Sequence, residues 1–207
     1  MKFKIEFVGI ILIVLSALTL STEANTVQNP STLIKSTTSK IIEQLKLHKN
    51  EIKKEPSVVT TIIEQLLMPH VASNTIARKV LGKHARKITK EQQQKFANAF
   101  RHYLIRFYSK SFAAYSDQTF EYYKSPHFED AKRVTVKTKL IQSVGQPVSI
   151  DYRMQRSGDS WKIVDIKIEG ISIVISNRSQ FGTQISRLGI DKVVTKLEKK
   201  INKNTDN

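Results

Sequence analysis

The hydrophobic period changes twice along this chain, and that pattern restricts the possible folds more than any single motif. Up to about residue 115 the apolar residues recur at helical spacing. Between Thr119 and about residue 175 they alternate with a period of two, and beyond Asn177 the helical spacing returns. Helices, then strands joined by short turns, then helices describe an α+β fold with an antiparallel meander. The expected architecture is a curved antiparallel sheet of four to five strands with helices packed over its concave face.

The element boundaries follow from turn and cap chemistry. Residues 25–29 read as a loose leader. Asn29-Pro30 opens a helix that carries Leu33, Ile34, Ile41, Ile42 and Leu45 to about residue 48, and KKEP (53–56) breaks the chain. A second helix spans about 57–67 and is interrupted by Pro69; a third spans about 72–81 and ends at Gly82. Thr89-x-x-Gln92 is a capping box that opens the longest helix, about 90–115. One of its faces carries Phe96, Phe100, Tyr103, Leu104, Phe107, Tyr108, Phe112 and Tyr115. Strands are expected over 119–125, 134–142 and from Pro147, with turns at Gly145-Gln146 and Ser157-Gly158-Asp159. Asn177-x-x-Gln180 caps a helix to about 188, Gly189 ends it, and Asp191 starts the last, Val193–Ile201.

The stretch WKIVDIKIEGISIVISNRSQF (161–181) is the least regular. Trp161 and Ile163 share one parity, Ile166 and Ile168 the other, and Ile171, Ile173 and Ile175 return to the first. A strand alternates strictly, so each flip demands a bulge or an equivalent irregularity. The expectation is a bulge near Val164-Asp165, a second adjustment at Gly170, and ISIVI as a last strand facing the interior.

The chain begins MKFK and continues with the apolar run FVGIILIVLSALTL (7–20), too short to span a bilayer comfortably and suited to a signal peptide. The domain expectation is a cleaved signal peptide over 1–24 and a single domain over 25–207. The protein is therefore expected outside the cytoplasm and soluble. It has no cysteine, which excludes a disulfide framework, zinc–thiolate sites and a cysteine nucleophile. The 34 Lys and Arg against 18 Asp and Glu give a net charge of +16 and call for an anionic partner: nucleic acid, an acidic membrane surface or an acidic protein. Export disfavours nucleic acid.

Little in the sequence carries catalysis. The five histidines form no metal-ligand spacing, and there is no nucleophile elbow, phosphate loop or acidic calcium loop. Asp165 is the one odd carboxylate, set among Trp161, Val164 and Ile166. One reading makes it the general base of an exported, cone-shaped α+β enzyme; the other makes it an acceptor for backbone amides at the bulge. A third possibility is a basic binding module for an anionic polymer. The apolar faces also exceed what a filled core of this size needs, which suggests an apolar cavity between sheet and helices.

The ordered set of motifs resembles the MlaC family, also called toluene-tolerance auxiliary proteins. The resemblance rests on VLG (80–82), T-x-x-Q followed by F-x-x-x-F and Y-L (89–104), Tyr108, W-K-x-x-D (161–165), E-G-I-S (169–172), N-R-S-Q-F (177–181) and G-I-D (189–191). It covers most of 33–201. The chain departs from the family after Pro69, where Ala72-Ser73 stands in place of an acidic–aromatic pair that members often carry.

The resemblance implies a periplasmic phospholipid shuttle, without catalysis or cofactor, with phospholipid as cargo. Its implied partners are glycerophospholipid, membrane surfaces, an inner-membrane ABC transporter complex and an outer-membrane lipoprotein–porin complex of the Mla type. A monomer that binds no nucleic acid is expected. The lining expected on this basis takes Val148, Ile150, Tyr152 and Met154 from the central strand and Ile171, Ile173 and Ile175 from the last. The helices add Leu66, Leu67, Leu104, Phe107 and Tyr108, with Phe181 at the mouth.

Overall fold

The computed structural model describes residues 27–202, so the expected signal peptide lies outside the described residues. Helix α1 (Pro30–Leu47) starts where Asn29 predicts: its side-chain oxygen accepts from the amides of Ser31 and Thr32 at 2.9 and 3.2 Å. A short helix α2 (Lys49–Lys54), absent from the sequence reading, precedes the break before α3 (Ser57–Leu66). A 3-10 turn at Met68–His70 accommodates Pro69 and leads to α4 (Ser73–Leu81). A second 3-10 turn, Gly82–Arg86, begins at a glycine with φ 54°, a conformation that L side chains rarely adopt. Helix α5 (Lys90–Ala113) opens with the capping box: the Gln92 amide donates to Thr89 Oγ1 and the Thr89 amide to Gln92 Oε1, both at 3.1 Å.

Five strands follow in sequence order, each antiparallel to the next: β1 (Thr119–Tyr122), β2 (Arg133–Ile141), β3 (Val148–Ser157), β4 (Ser160–Ile168) and β5 (Ile171–Ser172). The bulge expected near Asp165 is present. Arg153 faces Asp165 and Met154 faces Ile163, which leaves Val164 as the extra residue.

The second expected adjustment is a different object. Glu169 and Gly170 have φ 49° and 77°, and Ile168 pairs directly with Ile171. The chain therefore reverses in a two-residue hairpin turn of the kind that needs positive φ at both central residues. Strand β5 is only two residues long, and the rest of the expected ISIVI strand is helix: α6 runs Ile173–Leu188. Ser172 caps it, its Oγ accepting from the Ile175 amide at 3.1 Å. The β-branched run favours a strand locally, but Val174, Asn177, Phe181 and Ile185 lie on one helical stripe and are all buried. Burial of that stripe outweighs the weaker propensity term. Gly189 ends α6, and α7 (Ile190–Asn202) follows at once.

Among the described residues the interior divides into three apolar clusters. The first joins α4, α5, α6 and α7 through Ala77, Val80, Phe96, Phe100, Phe181 and Val193. The second lies between α1 and the sheet, with Leu33, Ile34, Val136, Met154, Trp161 and Ile163. The third joins α1, α2, α3 and α5 through Ile41, Ile52, Val59, Ile63 and Ile105. Val71 packs against the first two and Leu67 against the last two, so the segment after α3 borders all three.

Candidate functional site

The bulge decides what the inner face of the sheet presents. A regular β4 would turn Ile166 and Ile168 away from Trp161 and Ile163. With Val164 inserted, Ile163 pairs with Met154, Ile166 with Tyr152 and Ile168 with Ile150, so all share the face of the even-numbered residues of β3. Adding β1 and β2 gives four rungs: Val134–Met154–Ile163, Val136–Tyr152–Ile166, Tyr122–Thr138–Ile150–Ile168 and Phe120–Leu140–Val148.

These rungs differ in cover. In the first, Val134, Met154 and Ile163 are 8%, 1% and 0% exposed, closed by Trp161 and by Leu33 and Ile34 of α1. In the second and third the β2 members Val136 and Thr138 are closed, at 1% and 0%, while Tyr152, Ile166, Ile150 and Ile168 are half-buried, as is every member of the fourth. The apolar face thus grades from packed to accessible along the strands. At its accessible end stand the exposed apolar side chains Ile171 on β5 and Ile175 in the first turn of α6.

Tyr152 shows what kind of space this is. Burial pushes its phenol well above the ordinary tyrosine range, with the neighbouring Tyr122 adding to the shift, yet part of its surface stays accessible. Thr38 and Thr138 lie near its hydroxyl and Thr38 near that of Tyr122, which moderates both shifts. Thr138 Oγ1 itself donates to the Ile150 carbonyl at 2.9 Å.

The helix layer contributes an aromatic series along α5. Phe96 and Phe100 stack at 5.5 Å, and Phe181 stands edge-on to Phe96, Phe100 and Tyr103. Tyr103 continues to Phe107 at 5.7 Å and Phe107 to Tyr108 at 5.0 Å. Burial raises the Tyr108 phenol, with Tyr103 nearby, while Phe107 is 58% exposed.

The expected lining therefore separates into groups. Val148, Ile150 and Tyr152 stand on the half-buried part of the inner face, Leu66, Leu67 and Leu104 are half-buried at the borders of the clusters, and Tyr108 is half-buried against Phe107. Met154 belongs to the packed end. Phe181 is not at a mouth: it is 3% exposed inside the α5–α6 aromatic group, because α6 begins four residues earlier than its expected cap at Asn177. Ile173 and Ile175 are not strand residues. Ile173 is half-buried on the first turn of α6, and Ile171 and Ile175 are exposed. Sequence reading missed Ile166, Ile168, Leu140, Phe120 and the Thr38–Tyr122–Tyr152–Thr138 group. The parity flip was the signal for Ile166 and Ile168, since a bulge at Val164 returns them to the inner face.

Asp165 is a structural pin. Its carboxylate is 4% exposed; Oδ1 accepts from the Val174 amide at 3.1 Å and Oδ2 from Ser172 Oγ at 2.7 Å, with Arg153 at 3.6 Å. It ties the bulge to the first turn of α6, and both oxygens are engaged. The acceptor reading was right in kind, but the donors come from α6 and its cap rather than from bulged strand amides.

An open antiparallel meander packs under a helix layer, and the apolar inner face of its sheet is only partly covered. The comparisons with known proteins give the family. The chain belongs to the MlaC protein family, whose model matches residues 35–199. It is 29% identical over 184 residues to the toluene tolerance protein ttg2D of Pseudomonas putida, covering 87% of this chain and 83% of that one. It is 23% identical over 192 residues to the intermembrane phospholipid transport system binding protein MlaC of Haemophilus influenzae, covering 91% and 90%. Among solved structures it is similar to a phospholipid-binding protein from Ralstonia solanacearum in complex with a phospholipid. That likeness has a TM-score of 0.77 and 25% identity, and spans 85% of this chain and 98% of the other.

Proposed function

We propose that this protein is a periplasmic phospholipid carrier. It holds the acyl chains of a glycerophospholipid between the sheet's inner face and the helix layer, and leaves the head group at the rim. The observation that carries the reading is the half-buried set Ile150, Tyr152, Ile166 and Ile168 on the sheet's inner face, with the exposed Ile171 and Ile175 beyond it. The likeness to a neighbour whose structure was solved with a phospholipid supports the same cargo.

Exposing two acyl chains of roughly 15 methylenes each costs on the order of 24 kcal/mol at ~0.8 kcal/mol per methylene. A shallow groove does not offset a term of that size, so the chains must be enclosed. The proposed lining combines Val148, Ile150, Tyr152, Ile166 and Ile168 with Leu66, Leu67, Leu104 and Tyr108. Ile173 stands at its α6 edge, and the exposed Phe107, Ile171 and Ile175 form the rim. In this role the protein moves phospholipid between an outer-membrane lipoprotein–porin complex and an inner-membrane ABC transporter complex, maintaining the lipid asymmetry of the outer membrane. The surplus of Lys and Arg favours anionic membrane surfaces through a salt-sensitive term.

The test is mass spectrometry of lipid extracted from purified protein. Wild type should carry phospholipid in stoichiometric amount. Ile150→Glu should give a folded protein from which phospholipid is absent, because a carboxylate against acyl chains is costly. Ile171→Glu, at the exposed rim, should keep most of it. Equal lipid content in wild type and Ile150→Glu would remove the inner face from the site; a lipid-free wild type would remove the carrier reading itself.

A further inference from the structure

A strongly cationic concavity lies at the head of α5, far along that helix from Phe107. A groove of about 1050 Å³ runs between α4, the 3-10 turn that follows it, the start of α5 and the side of α6. Helix α4 supplies Arg78 and Lys79, and the turn supplies Lys83 and Arg86. Lys87, Lys90 at the head of α5 and Arg178 of α6 complete seven cations, and no acidic residue lines the groove among those described. None of the seven is in an ion pair among the described residues. Between the cationic heads the floor is Gly82, Ala85 and Ile88.

The groove is a built feature. Arg178 Nε donates to the Lys79 carbonyl at 2.6 Å, which fixes the guanidinium over the turn. A side chain at Gly82 would meet Arg178 Cδ at 3.4 Å, so the glycine permits both the turn's positive φ and this close approach. Gln93 Nε2 holds the Ala85 carbonyl at 2.8 Å, fastening the turn to α5. Lys79 Nζ reaches the carbonyl of the bulge residue Val164 at 3.4 Å. Burial lowers its pKa, and the cations Arg133, Arg153 and Arg178 add to that against Asp165. Past Arg78, Lys90 and Gln93 the groove continues into a depression of about 400 Å³ edged by Asn74, Thr75 and Gln94.

We infer that this groove is a docking site for an acidic peptide segment of a protein partner. Its volume exceeds what a single phosphate or carboxylate fills. Its concavity does not suit the plane of a bilayer, which meets convex surfaces. A chain carrying carboxylates between apolar residues matches both the cationic heads and the Ala85–Ile88 floor, and the amide side chains beyond Arg78 can pair with its backbone. Lys90 and Phe107 are 17 residues apart on α5, about 25 Å at the rise of an α-helix. A partner held in the groove therefore leaves Phe107 free, while Ile175, one helical turn from Arg178 on α6, borders the groove. The inference stands independently of what the interior carries.

The test uses the full mature chain and a labelled peptide of about a dozen residues alternating Glu with Leu and Ala, read by fluorescence anisotropy. Binding should occur and weaken as salt is raised. Lys83→Glu with Arg86→Glu, both exposed, should weaken it about tenfold or more. Lys196→Glu with Lys199→Glu on α7, which changes net charge equally, should shift it less than about twofold. Circular dichroism and lipid content of both variants check the fold, and serine replacements at Lys83 and Arg86 give the same readout without added acids. Equal weakening by the two pairs would reduce the effect to net charge and overturn the proposal, as would absence of peptide binding. Sedimentation with phosphatidylglycerol-containing vesicles separates the other source. Vesicle binding lost on groove reversal, with no peptide binding, would make the groove a membrane contact and also overturn it.

Discussion

The two halves of α5 carry aromatic side chains at the same helical spacing and hold them in opposite surroundings. Phe96 and Phe100 are 0% and 1% exposed, stacked on each other and closed edge-on by Phe181. Further along the same stripe, Phe107 is exposed and Tyr108 half-buried. What differs is the opposite wall: α6 and α7 fill the space beside the first half, and the second half runs past them. The sheet repeats the contrast, with Trp161 and Ile163 sealed under α1 and Ile150 and Ile168 accessible at the other end of the inner face. A hydrophobic stripe thus becomes core or binding surface according to what faces it.

The largest test of that contrast is a matched pair of truncations. Phe100→Ala should cost about 3–5 kcal/mol in urea denaturation, the usual range for a buried aromatic. Phe107→Ala should cost less than about 1 kcal/mol, because its side chain is already wet, while reducing extracted phospholipid. Similar costs at the two sites would erase the distinction. Next in size is Asp165→Ala, which strands the Val174 amide and Ser172 hydroxyl in a buried setting. A loss of about 1–3 kcal/mol is expected. If stability is unchanged, the tie between the bulge and α6 is not what supports the rim.

Alkaline titration sharpens the comparison from the sheet side. The Tyr152 phenol is raised in the folded state, so above the unfolded tyrosine value of about 10 the unfolded chain releases its proton first. Stability is complete below that pH and falls as pH rises toward the folded value. Tyr152→Phe should flatten this fall in chemical denaturation measured across the alkaline range. An unchanged slope would mean that Tyr152 is not as deep as its position indicates. A purely local contact closes the series: Thr89→Ala at the head of α5 should cost about 1 kcal/mol from the lost cap, with lipid content unchanged.

Much of the fold was legible in sequence, for local reasons. Asn29-Pro30, the Thr89–Gln92 box and the turns at Gly158 and Gly189 act through atoms a few residues apart, so their outcome hardly depends on the rest of the chain. The clean alternation of Val148 to Met154 placed β3 on the correct face. The parity flip at Val164-Asp165 named the bulge. The candidate site was legible in part: β3 and the α3 and α5 residues were placed where half-buried apolar surface lies. The failures share one cause. ISIVI reads as strand by its β-branched composition, but Asp165, seven residues before Ser172, accepts from Ser172 and from the Val174 amide and so supports a helix start there. A hydrogen bond between separate elements leaves no mark in local propensity.

The sequence by itself determined the order of elements, the meander, the caps and the surplus of apolar faces, because each depends on period, turn chemistry or composition. Only the tertiary structure decided which of those faces meet. It sealed Phe181 among the α5 aromatics, returned Ile166 and Ile168 to the inner face through one inserted residue, and brought Arg178 of α6 against the cations clustered over 78–90. Burial and electrostatic potential are properties of neighbours in space, and neighbours hundreds of atoms apart along the chain are chosen by packing rather than by any local pattern.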